Sequence, residues 1–565
     1  MAMNVNADTS IAARFREVAA SMADAPALVS SRGRYTYAEI DRWSDAIAAD
    51  LIAADAPLDA PVAILTRDPL ALVPAVLGAV KAGHFFVVID ASDPEERIEA
   101  IVRAAGATVC LIDEVTSARG GARALRIRAF APSANEERPP DRAANELVQL
   151  VFTSGTTGTP KAVANRQRGF AERSVRAGAR TGRASGERVS YTALPGFARA
   201  TGEIFGSLLN GATLCAFDAR SERLESLAAM IERERISILT LTPALFRRFV
   251  RALPAGIDLS SVKKLRIGAD VMTVADVDAW RARFPRTTTL ERAFNATEAG
   301  MVLHISIEHD TPIPGPLVPI GRPLPNVEVW LIDEDGNVVP DGEIGELVVR
   351  SPNVVHGYWN APELTAEKFT FDPERPDTPT FRTGDLVRRD SDGLYYFVGR
   401  RDSRLKIHGR RIDPLEVESA LCAHPSVREA CAVAQVAADG EARLVAYAVT
   451  SATPRELRKA LRGTLPAWMV PARVYVVDAL PMTASGKVDR HALAQRVEPL
   501  EQMEGNATED LEQTLRAIWS RVLGMSVRVD DDFFDDLGGD SLNAAEIVSE
   551  VSRVTGRSLP LSLLL

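Results

Sequence analysis

Short β-rich runs alternate with helical patterns through much of the chain, and this alternation constrains the fold more than any other feature. From Tyr35 to Ile112 the β-rich runs are PVAIL and HFFVVID, and from Gly186 to Leu303 they are ATLCAF and ISILTL. Strands separated by helices are typical of βαβ units, whose strands lie parallel in one sheet. The sequence therefore predicts two α/β lobes.

The pattern changes in the second half of the chain. From Val327 to Val398, alternating segments punctuated by turns, such as VEVWLIDEDGNVV, predict hairpins that close a small β-barrel subdomain. The charged stretch RRDSRLKIHGRRIDP then leads into an α+β pattern, and a polar segment separates this pattern from a helix and an acidic turn. We expect a large core at 1–399, a smaller α+β domain at 400–497, a linker at 498–509 and a helical domain at 510–565. Because the chain stops in the apolar run SLPLSLLL, we expect this last domain to be incomplete.

Charge and composition exclude several classes of function. The 565 residues allow about three to five domains. A net charge of −10 argues against nucleic acid or an anionic membrane as a partner.

The most apolar window, Leu70–Val80, is about half of the roughly 20 residues that span a bilayer, so we expect a buried helix there. Charged residues interrupt the N-terminal segment, and the four cysteines are scattered, which favours a cytoplasmic protein without a zinc site or a disulfide framework.

The segment LVQLVFTSGTTGTPKAV contains the strongest chemical signal. A β-rich run leads into a loop whose glycines let a ligand approach the backbone N–H groups, whose hydroxyls can donate hydrogen bonds and whose lysine carries positive charge. These properties suit a phosphate group, although the loop is not a Walker A motif. The alternative is a flexible Ser/Thr/Gly surface loop. The candidate phosphate-binding residues are Thr153, Ser154, Gly155, Thr156, Thr157, Gly158 and Lys161.

This loop resembles the phosphate loop of the adenylate-forming superfamily, and in particular that of the adenylation domains of nonribosomal peptide synthetases. Further segments resemble core motifs of these domains in the same order: LGAVKAGHFFVVID, FNATEAG, GELVVRSPNVVHGYWNAPELTAEKF, FRTGDLVRRDSDGLYYFVGRRD, SRLKIHGRRIDPLEVE and PMTASGKVDR. LGGDSL resembles the phosphopantetheine attachment site of a carrier protein. The resemblance covers nearly the whole chain. It implies a two-lobed α/β adenylation core, a mobile α+β C-terminal subdomain and a helical-bundle carrier domain.

The resemblance implies roles for five residues that contact ATP or its metal ion. Phe294 would lie against adenine, Thr297 would contact the α-phosphate and Glu298 would bind Mg²⁺. Asp385 would hold the ribose hydroxyls, with the help of Arg400. Taken singly, Asp385 could merely cap a turn and Glu298 could begin a helix, but the order of the motifs favours the functional interpretation.

The resemblance also implies roles in the later steps. Lys487 would be the catalytic lysine of adenylation, although alone it could be a solvated loop lysine. Asp402 matches a hinge about which the C-terminal subdomain rotates, and Gly409 matches a residue that lines the tunnel for the phosphopantetheine arm. Ser541 would be the attachment site of 4′-phosphopantetheine, which a phosphopantetheinyl transferase adds. The charged stretch around the hinge could instead be a plain linker.

The substrate pocket departs from the pattern of the resembling family. Domains that activate α-amino acids usually carry an aspartate after the phenylalanine of the fourth core motif, and LPGFARATGEIFGSLLNGATL has Ala198 there. The resemblance places eight further residues in the pocket: Arg199, Gly202, Thr240, Arg266, Gly268, Ala293, Met301 and Val302. Because a buried ammonium without a counter-charge costs several kcal/mol, we expect a carboxylic acid without an α-amino group, such as a keto, hydroxy or dicarboxylic acid. Alternatively, the two arginines face solvent or pair with Asp270 or Glu203.

The sequence thus predicts ATP-dependent activation of a small carboxylic acid as its acyl-adenylate, followed by transfer to the carrier thiol of the same chain. The expected cofactors are ATP, Mg²⁺ and 4′-phosphopantetheine, and the expected partners are the transferase and downstream synthetase domains. Three alternatives remain: an amino-acid-activating module with unusual ammonium recognition, a ligase that delivers acyl groups to coenzyme A, and a catalytically silent scaffold.

Overall fold

A computed structural model describes most of the chain. At some of the described positions, including Arg400 and Ser541, it describes the backbone alone. The described residues are 9–113, 121–127, 146–153, 161–167, 169–268, 272, 274–313, 318–400, 405–407, 410–412, 414–436, 442–481, 488, 490–496, 511–523, 525, 527–529, 531–533, 537, 539, 541–557 and 559–560.

The first four hundred residues form the core. Its helices are α1 (Ile11–Ser21), α2 (Tyr37–Ala53), α3 (Pro69–Lys81), α4 (Glu95–Ala105), α5 (Phe170–Arg180), α6 (Ala198–Leu208), α7 (Leu224–Glu234), α8 (Pro243–Ala252), α9 (Val274–Arg283) and α10 (Pro362–Lys368). Its strands are β1 (Pro26–Val29), β2 (Arg34–Thr36), β3 (Val62–Thr66), β4 (Phe86–Asp90), β5 (Val109–Ile112), β6 (Arg123–Arg126), β7 (Leu147–Thr153), β8 (Lys161–Arg166), β9 (Arg188–Tyr191), β10 (Thr213–Ala216), β11 (Ile238–Leu241), β12 (Lys264–Ile267), β13 (Thr289–Ala296), β14 (Gly300–Ile307), β15 (Arg322–Pro323), β16 (Glu328–Ile332), β17 (Ile344–Arg350), β18 (Phe369–Thr370), β19 (Thr380–Arg389) and β20 (Tyr395–Arg400).

Two mixed sheets form the α/β lobes. One has the order β6-β5-β3-β4-β7-β8 and is parallel except for β8, and the other has the order β15-β14-β13-β12-β11-β9-β10-β1-β2. In the second sheet the strands from β13 to β1 are parallel, whereas β2, β14 and β15 are antiparallel to their neighbours. The prediction of two α/β lobes is confirmed.

Helix α3 coincides with the most apolar window of the sequence, and it is buried as expected. The Asp68 side chain accepts a hydrogen bond from the backbone N–H of Leu70, and Pro69 occupies the first turn, so the helix begins with a favourable cap. A Cβ at Gly78 would lie 2.7 Å from Cγ2 of Ile47 on α2. The absence of a side chain at Gly78 therefore lets α2 and α3 pack closely.

A similar close approach fixes helix α6. A Cβ at Gly178 on α5 would lie 2.2 Å from the carbonyl oxygen of Gly206 on α6, so the two helices contact each other through their backbones. Asn210, just after α6, donates a side-chain hydrogen bond to the same carbonyl at 2.9 Å. Helix α6 is thus held rigidly against α5.

The segment predicted to form hairpins is an antiparallel five-stranded sheet in which β16, β17, β19 and β18 follow one another and β20 pairs with β19. This sheet packs on an apolar cluster that also includes Val163, Phe294 and Val302 of the α/β lobes. One side of the candidate site is therefore built from this sheet.

The remaining elements form two smaller units. The first contains β21 (Leu405–Ile407), β22 (Arg410–Ile412), α11 (Pro414–Cys422), β23 (Val427–Val436), β24 (Ala442–Thr450), α12 (Pro454–Thr464), a 3₁₀ turn (Ala467–Met469), β25 (Arg473–Val476) and α13 (Arg490–Gln495). The second contains α14 (Leu511–Leu523) and α15 (Ser541–Thr555), which share one apolar cluster. Within the described ranges, every helix is too short or too polar to span a bilayer.

Candidate active site

Strands β7 and β8 hold the two ends of the predicted phosphate loop. Thr153 and Lys161 are paired across these antiparallel strands, and the Thr153 hydroxyl donates to the Lys161 carbonyl at 3.5 Å. The loop between them, with Ser154, Gly155, Thr156, Thr157 and Gly158, lies outside the described residues. The strands thus bring the ends of the loop together beside the antiparallel sheet.

Lys161, a candidate phosphate-binding residue, and Glu298, for which the resemblance implies Mg²⁺ binding, lie next to each other. The Lys161 Nζ is 3.9 Å from Glu298 Oε1, and it donates to the hydroxyl of Tyr358 at 3.2 Å. Tyr358 in turn donates to Glu298 Oε1 at 2.9 Å, and the Lys161 Nζ lies 4.6 Å from the centre of the Tyr358 ring. Glu298 has a side-chain exposure of 1%. Tyr358, which sequence reasoning did not select, therefore joins the cation to the carboxylate.

The turn after β13 positions Phe294, Thr297 and Glu298. Phe294 is buried near the end of the strand, where a bulge separates it from Asn295. The backbone N–H of Val355 donates to the Glu298 carbonyl at 2.8 Å, which ties this turn to the segment that follows β17. Thr297 is half-buried within the turn.

Asp385 lies on β19, in the same antiparallel sheet. It is buried, and its backbone N–H donates to the hydroxyl of Thr383 at 3.0 Å. Asp385 is paired with Arg400 of β20 across the sheet, and only the backbone of Arg400 is described. The strand pairing thus brings the two predicted ribose-binding positions side by side.

The predicted pocket residues lie on α6 and on or beside strands of the nine-stranded mixed sheet. Ala198 is the first residue of α6, directly after Phe197. Thr240 pairs with Arg266, and Arg266 pairs with Glu291, on three adjacent parallel strands. Paired residues of neighbouring strands project from the same face of a sheet. Thr240, Arg266 and Glu291 therefore form one polar row on that face.

The arginines of the pocket have carboxylate partners. Arg199 Nη1 lies 3.3 Å from Glu203 Oε1 on the same helix, and Arg266 Nε lies 3.3 Å from Glu291 Oε2. Lys264 contacts the other oxygen of Glu291 at 2.7 Å. Although burial alone would raise the pKa of Glu291, His304 at 3.8 Å, the hydrogen bond from Lys264 and the charge of Arg266 lower it to about 2. Pairing of Arg199 with Glu203 was one of the alternatives open from the sequence, whereas Glu291 was not selected.

The other predicted pocket residues differ in their surroundings. Gly268 directly follows β12 and Ala293 lies within the neighbouring strand β13, where a Cβ at Gly268 would meet the Ala293 carbonyl at 3.8 Å. Met301 is half-buried, and Val302 is fully buried in the cluster that includes Phe294. Gly202 is exposed on α6.

Besides Arg400 and the loop residues, four further predicted functional residues lack described side chains. Lys487, Asp402 and Gly409 lie outside the described residues, and Ser541 is the first residue of α15 with its backbone alone described. Their assignments remain predictions.

Contacts between the core and the β21–α13 unit were not anticipated from the sequence. The Arg410 guanidinium lies 5.3 Å from the ring centres of both Phe197 and Trp468, and these rings are 5.9 Å apart. Arg97 on α4 contacts Glu416 on α11 at 2.6 Å. These contacts place the residue that follows Gly409 against the start of α6. Long-range pairs of this kind leave no local pattern in a sequence.

An acidic residue lies near the same interface. Asp93 lies 3.8 Å from Arg97, with Asp90, Arg220 and Arg410 close enough to act on its charge. Burial, followed by the negative charge of Asp90, raises the pKa of Asp93 to about 7 despite the nearby arginines. The protonation of this carboxyl therefore changes near neutral pH.

Three family models match the chain in succession. The model described as AMP-binding enzyme matches residues 15–359, the AMP-binding enzyme C-terminal domain matches residues 416–487, and the phosphopantetheine attachment site matches residues 513–565. This order is that of the core, the β21–α13 unit and the α14–α15 unit.

Known relatives are much longer than this chain. Tyrocidine synthase 2 of Brevibacillus parabrevis is 31% identical over 564 residues, which make up 97% of this chain and 15% of that protein. Surfactin synthase subunit 3 of Bacillus subtilis (strain 168) is 32% identical over 570 residues, which make up 97% of this chain and 44% of that protein. The chain thus spans less than half of either relative.

Two solved structures are similar over most of the chain. One is an NRPS protein containing adenylation and PCP domains, bound to a vinylsulfonamide inhibitor, with a TM-score of 0.80 and 26% identity over 99% of this chain and 94% of that one. The other is the amide bond synthetase McbA from Marinactinospora thermotolerans, with a TM-score of 0.76 and 25% identity over 86% of this chain and 99% of that one.

Proposed function

Because this chain belongs to the AMP-binding enzyme family and carries a phosphopantetheine attachment domain, we propose that it activates a carboxylic acid lacking an α-amino group and loads it onto its own carrier domain. Its domains are those of an adenylate-forming ligase of the nonribosomal peptide synthetase type, which uses ATP. A phosphopantetheinyl transferase and downstream synthetase domains are the proposed partners.

The first proposed step joins the acid to AMP. A carboxylate oxygen of the acid attacks the α-phosphorus of ATP, and the bond to pyrophosphate breaks. Lys161 and the loop N–H groups would bind phosphate oxygens, and Lys487 would stabilise the charge that develops there. The buried Glu298 carboxylate suits Mg²⁺, a cation that prefers oxygen ligands and would neutralise phosphate charge when bound. Tyr358 would hold this carboxylate in place.

The second proposed step transfers the acyl group. The thiol of the phosphopantetheine arm on Ser541 attacks the acyl carbon, a thioester bond forms and AMP leaves. Ser541 opens α15, a position that suits a modified residue, because side chains at the start of a helix can face solvent. Gly409 would line the tunnel for this arm, and its neighbour Arg410 contacts Phe197 at the start of α6.

The single observation that carries the proposed substrate class is the charge around α6. Ala198 offers no carboxylate, and the nearby carboxylates of Glu203 and Glu291 already contact Arg199 and Arg266. An ammonium entering this region would meet guanidinium groups, which repel it. A neutral or anionic α-substituent avoids this cost.

ATP–pyrophosphate exchange with matched acids tests the substrate class. One suitable set is 4-methylpentanoate with its 2-oxo, 2-hydroxy and 2-amino derivatives, extended to other side chains and to dicarboxylic acids. We expect the highest kcat/KM with an acid that lacks the amine. Lys487→Ala is the control for background exchange.

A second candidate is activation of an α-amino acid, and one observation favours it. Glu203 Oε2 is buried and has no hydrogen-bond partner among the described residues. An ammonium could reach this oxygen while the other remains with Arg199. A higher kcat/KM for an amino acid than for every amine-free acid would select this candidate.

A further inference from the structure

The layer between α6 and the parallel sheet contains a buried arginine outside the set predicted from the sequence. Arg183 precedes β9 and is 5% exposed, and its Nη1 lies near Gly206 of α6. Its Nη1 donates to the Thr181 hydroxyl at 2.9 Å. Among the described residues, no carboxylate forms an ion pair with Arg183. A buried guanidinium without a counter-charge is costly.

Arg183 belongs to the same electrostatic cluster as the predicted pocket residues. Of the neighbouring charges, Arg266 affects it most, followed by Glu203, Glu291 and Arg199. Burial, and then the like charge of Arg266, lower the pKa of Arg183 to about 9, so the guanidinium is still mostly charged at neutral pH. Arg183 and Arg266 are thus two cations in one buried layer.

The charges of this cluster do not balance among the described residues. Glu203 already contacts Arg199, and Glu291 contacts both Lys264 and Arg266. Four cationic side chains therefore face two carboxylates: Arg183, Lys264, Arg199 and Arg266 against Glu203 and Glu291. Arg199 and Lys264 are each about 30% exposed, so water screens part of their charge, whereas Arg183 is buried and the Arg266 side chain is only 13% exposed.

The same layer contains buried polar atoms that lack a partner within the described part of the chain. They include Arg183 Nε, the hydroxyls of Tyr191 and Thr240, and Arg266 Nε, which lies near Glu291 without hydrogen-bond geometry. An unsatisfied buried polar group costs about 1–3 kcal/mol, and native proteins contain few of them. Several in one layer indicate a site that a polar ligand completes.

We propose that the acid carries a second anionic group, such as a distal carboxylate, which Arg183 and Arg266 bind between α6 and the sheet. This inference rests on the proposed function, and it narrows the substrate from any amine-free acid to a dianionic one. Arg183 is a specificity-determining residue in this scheme, because it provides a charge that a neutral distal group cannot use.

ATP–pyrophosphate exchange with three matched series tests the proposal. Succinate, glutarate and adipate are each compared with their monoamide and with the unbranched monocarboxylate of the same length. We expect the best diacid to exceed its monoamide by about 10- to 100-fold in kcat/KM, as for a hydrogen bond to a charged group. The difference should lie mainly in KM.

Variants of Arg183 identify the residue responsible. Arg183→Met should remove most of the preference for the diacid and leave the rate with the monoamide nearly unchanged. Arg183→Lys keeps the charge and should retain part of the preference. Arg188→Met is the matched control, because Arg188 begins β9 and its ion pair is with Glu234, outside the cluster.

The outcomes separate the inference from the proposed function. A monoamide or monocarboxylate that equals or exceeds every diacid overturns the inference and leaves the proposed function intact. A diacid preference that is undiminished in Arg183→Met also overturns it. An amino acid as the best substrate, or no exchange with any acid, overturns the proposed function and the inference with it. If the Met variant does not fold, the Lys variant decides, because a reduced preference for the diacid supports the inference and an undiminished preference overturns it.

Discussion

Replacing Trp468 with alanine tests whether the described contact between the core and the β21–α13 unit serves acyl transfer. Trp468 lies on the 3₁₀ turn at Ala467–Met469, and Arg410 lies over its ring and that of Phe197. Trp468→Ala removes one arginine–aromatic contact and one ring pair. It leaves the contact between Arg410 and Phe197 in place.

The magnitude follows from these two contacts. An arginine over an aromatic ring contributes about 0.5–2 kcal/mol, depending on its exposure. A pair of rings at this separation contributes about 0.5–1.5 kcal/mol. Because Trp468 is half-buried, the two contacts together contribute about 1–3 kcal/mol. This corresponds to a shift of about 5- to 150-fold in the equilibrium between the state in which the β21–α13 unit contacts α6 and the state in which it does not.

The assay compares the two half-reactions of the same preparation. The best acid of the exchange panel is used first for ATP–pyrophosphate exchange and then for thioester formation with free pantetheine, which bypasses the carrier domain. Because the contact places the segment beside Gly409 at the start of α6, we expect Trp468→Ala to slow thioester formation by about 5-fold or more. Exchange should change less than thioester formation.

Trp330→Ala is the matched control, because Arg350 lies 5.4 Å from the ring centre of Trp330 on the antiparallel sheet, away from this interface. It should leave the ratio of the two rates unchanged. Equal losses in both half-reactions of Trp468→Ala, or no loss in either, would refute the assignment of this contact to acyl transfer.

Three further predictions follow from individual residues. Lys487→Ala should lower exchange by about 10²–10³-fold while transfer from a supplied acyl-adenylate persists, and equal losses in single-turnover assays of both steps would contradict its role. Ser541→Ala should keep exchange and abolish the mass increase on treatment with a phosphopantetheinyl transferase; a modified Ser541→Ala protein would show that another residue is used. The pKa of Asp93 in the folded protein is raised to about 7. The protonated carboxyl therefore makes its full contribution to stability at pH values below the pKa that Asp93 has in the unfolded chain, and this contribution is lost as the pH rises through 7. Asp93→Asn should therefore raise the melting temperature relative to wild type more at about pH 8.5 than at about pH 5.5, and a pH-independent difference would contradict the shift.

The order of elements and the ends of the phosphate loop could be predicted from the sequence because both depend on local pattern. The β-rich runs became β3, β4, β10 and β11, and the apolar segment at Leu70–Val80 became the buried helix α3. Periodicity and caps act over a few residues, so they remain visible in a single sequence.

The charge partners in the pocket could not be predicted in the same way. Arg266 pairs with Glu291 because β12 and β13 are neighbours in the sheet, and Arg183 reaches the same layer from the segment before β9. Tyr358 joins Lys161 to Glu298 from a position about two hundred residues beyond the lysine. Such pairs depend on strand order and packing, for which the chain carries no local signal.

Helix α6 contributes to two different surfaces, and this has a thermodynamic consequence. Its first turns contain Arg199 and Glu203, which the proposed function places near the acid, while Phe197, immediately before it, contacts the unit that contains Arg410. Gly178 fixes the helix from behind. We call the arrangement in which the β21–α13 unit contacts the core the docked arrangement. If binding of an acid favours this arrangement by some factor, the docked arrangement must bind that acid more tightly by the same factor. Acids that fit α6 poorly would then be penalised twice, once at activation and again at transfer, without a separate editing site.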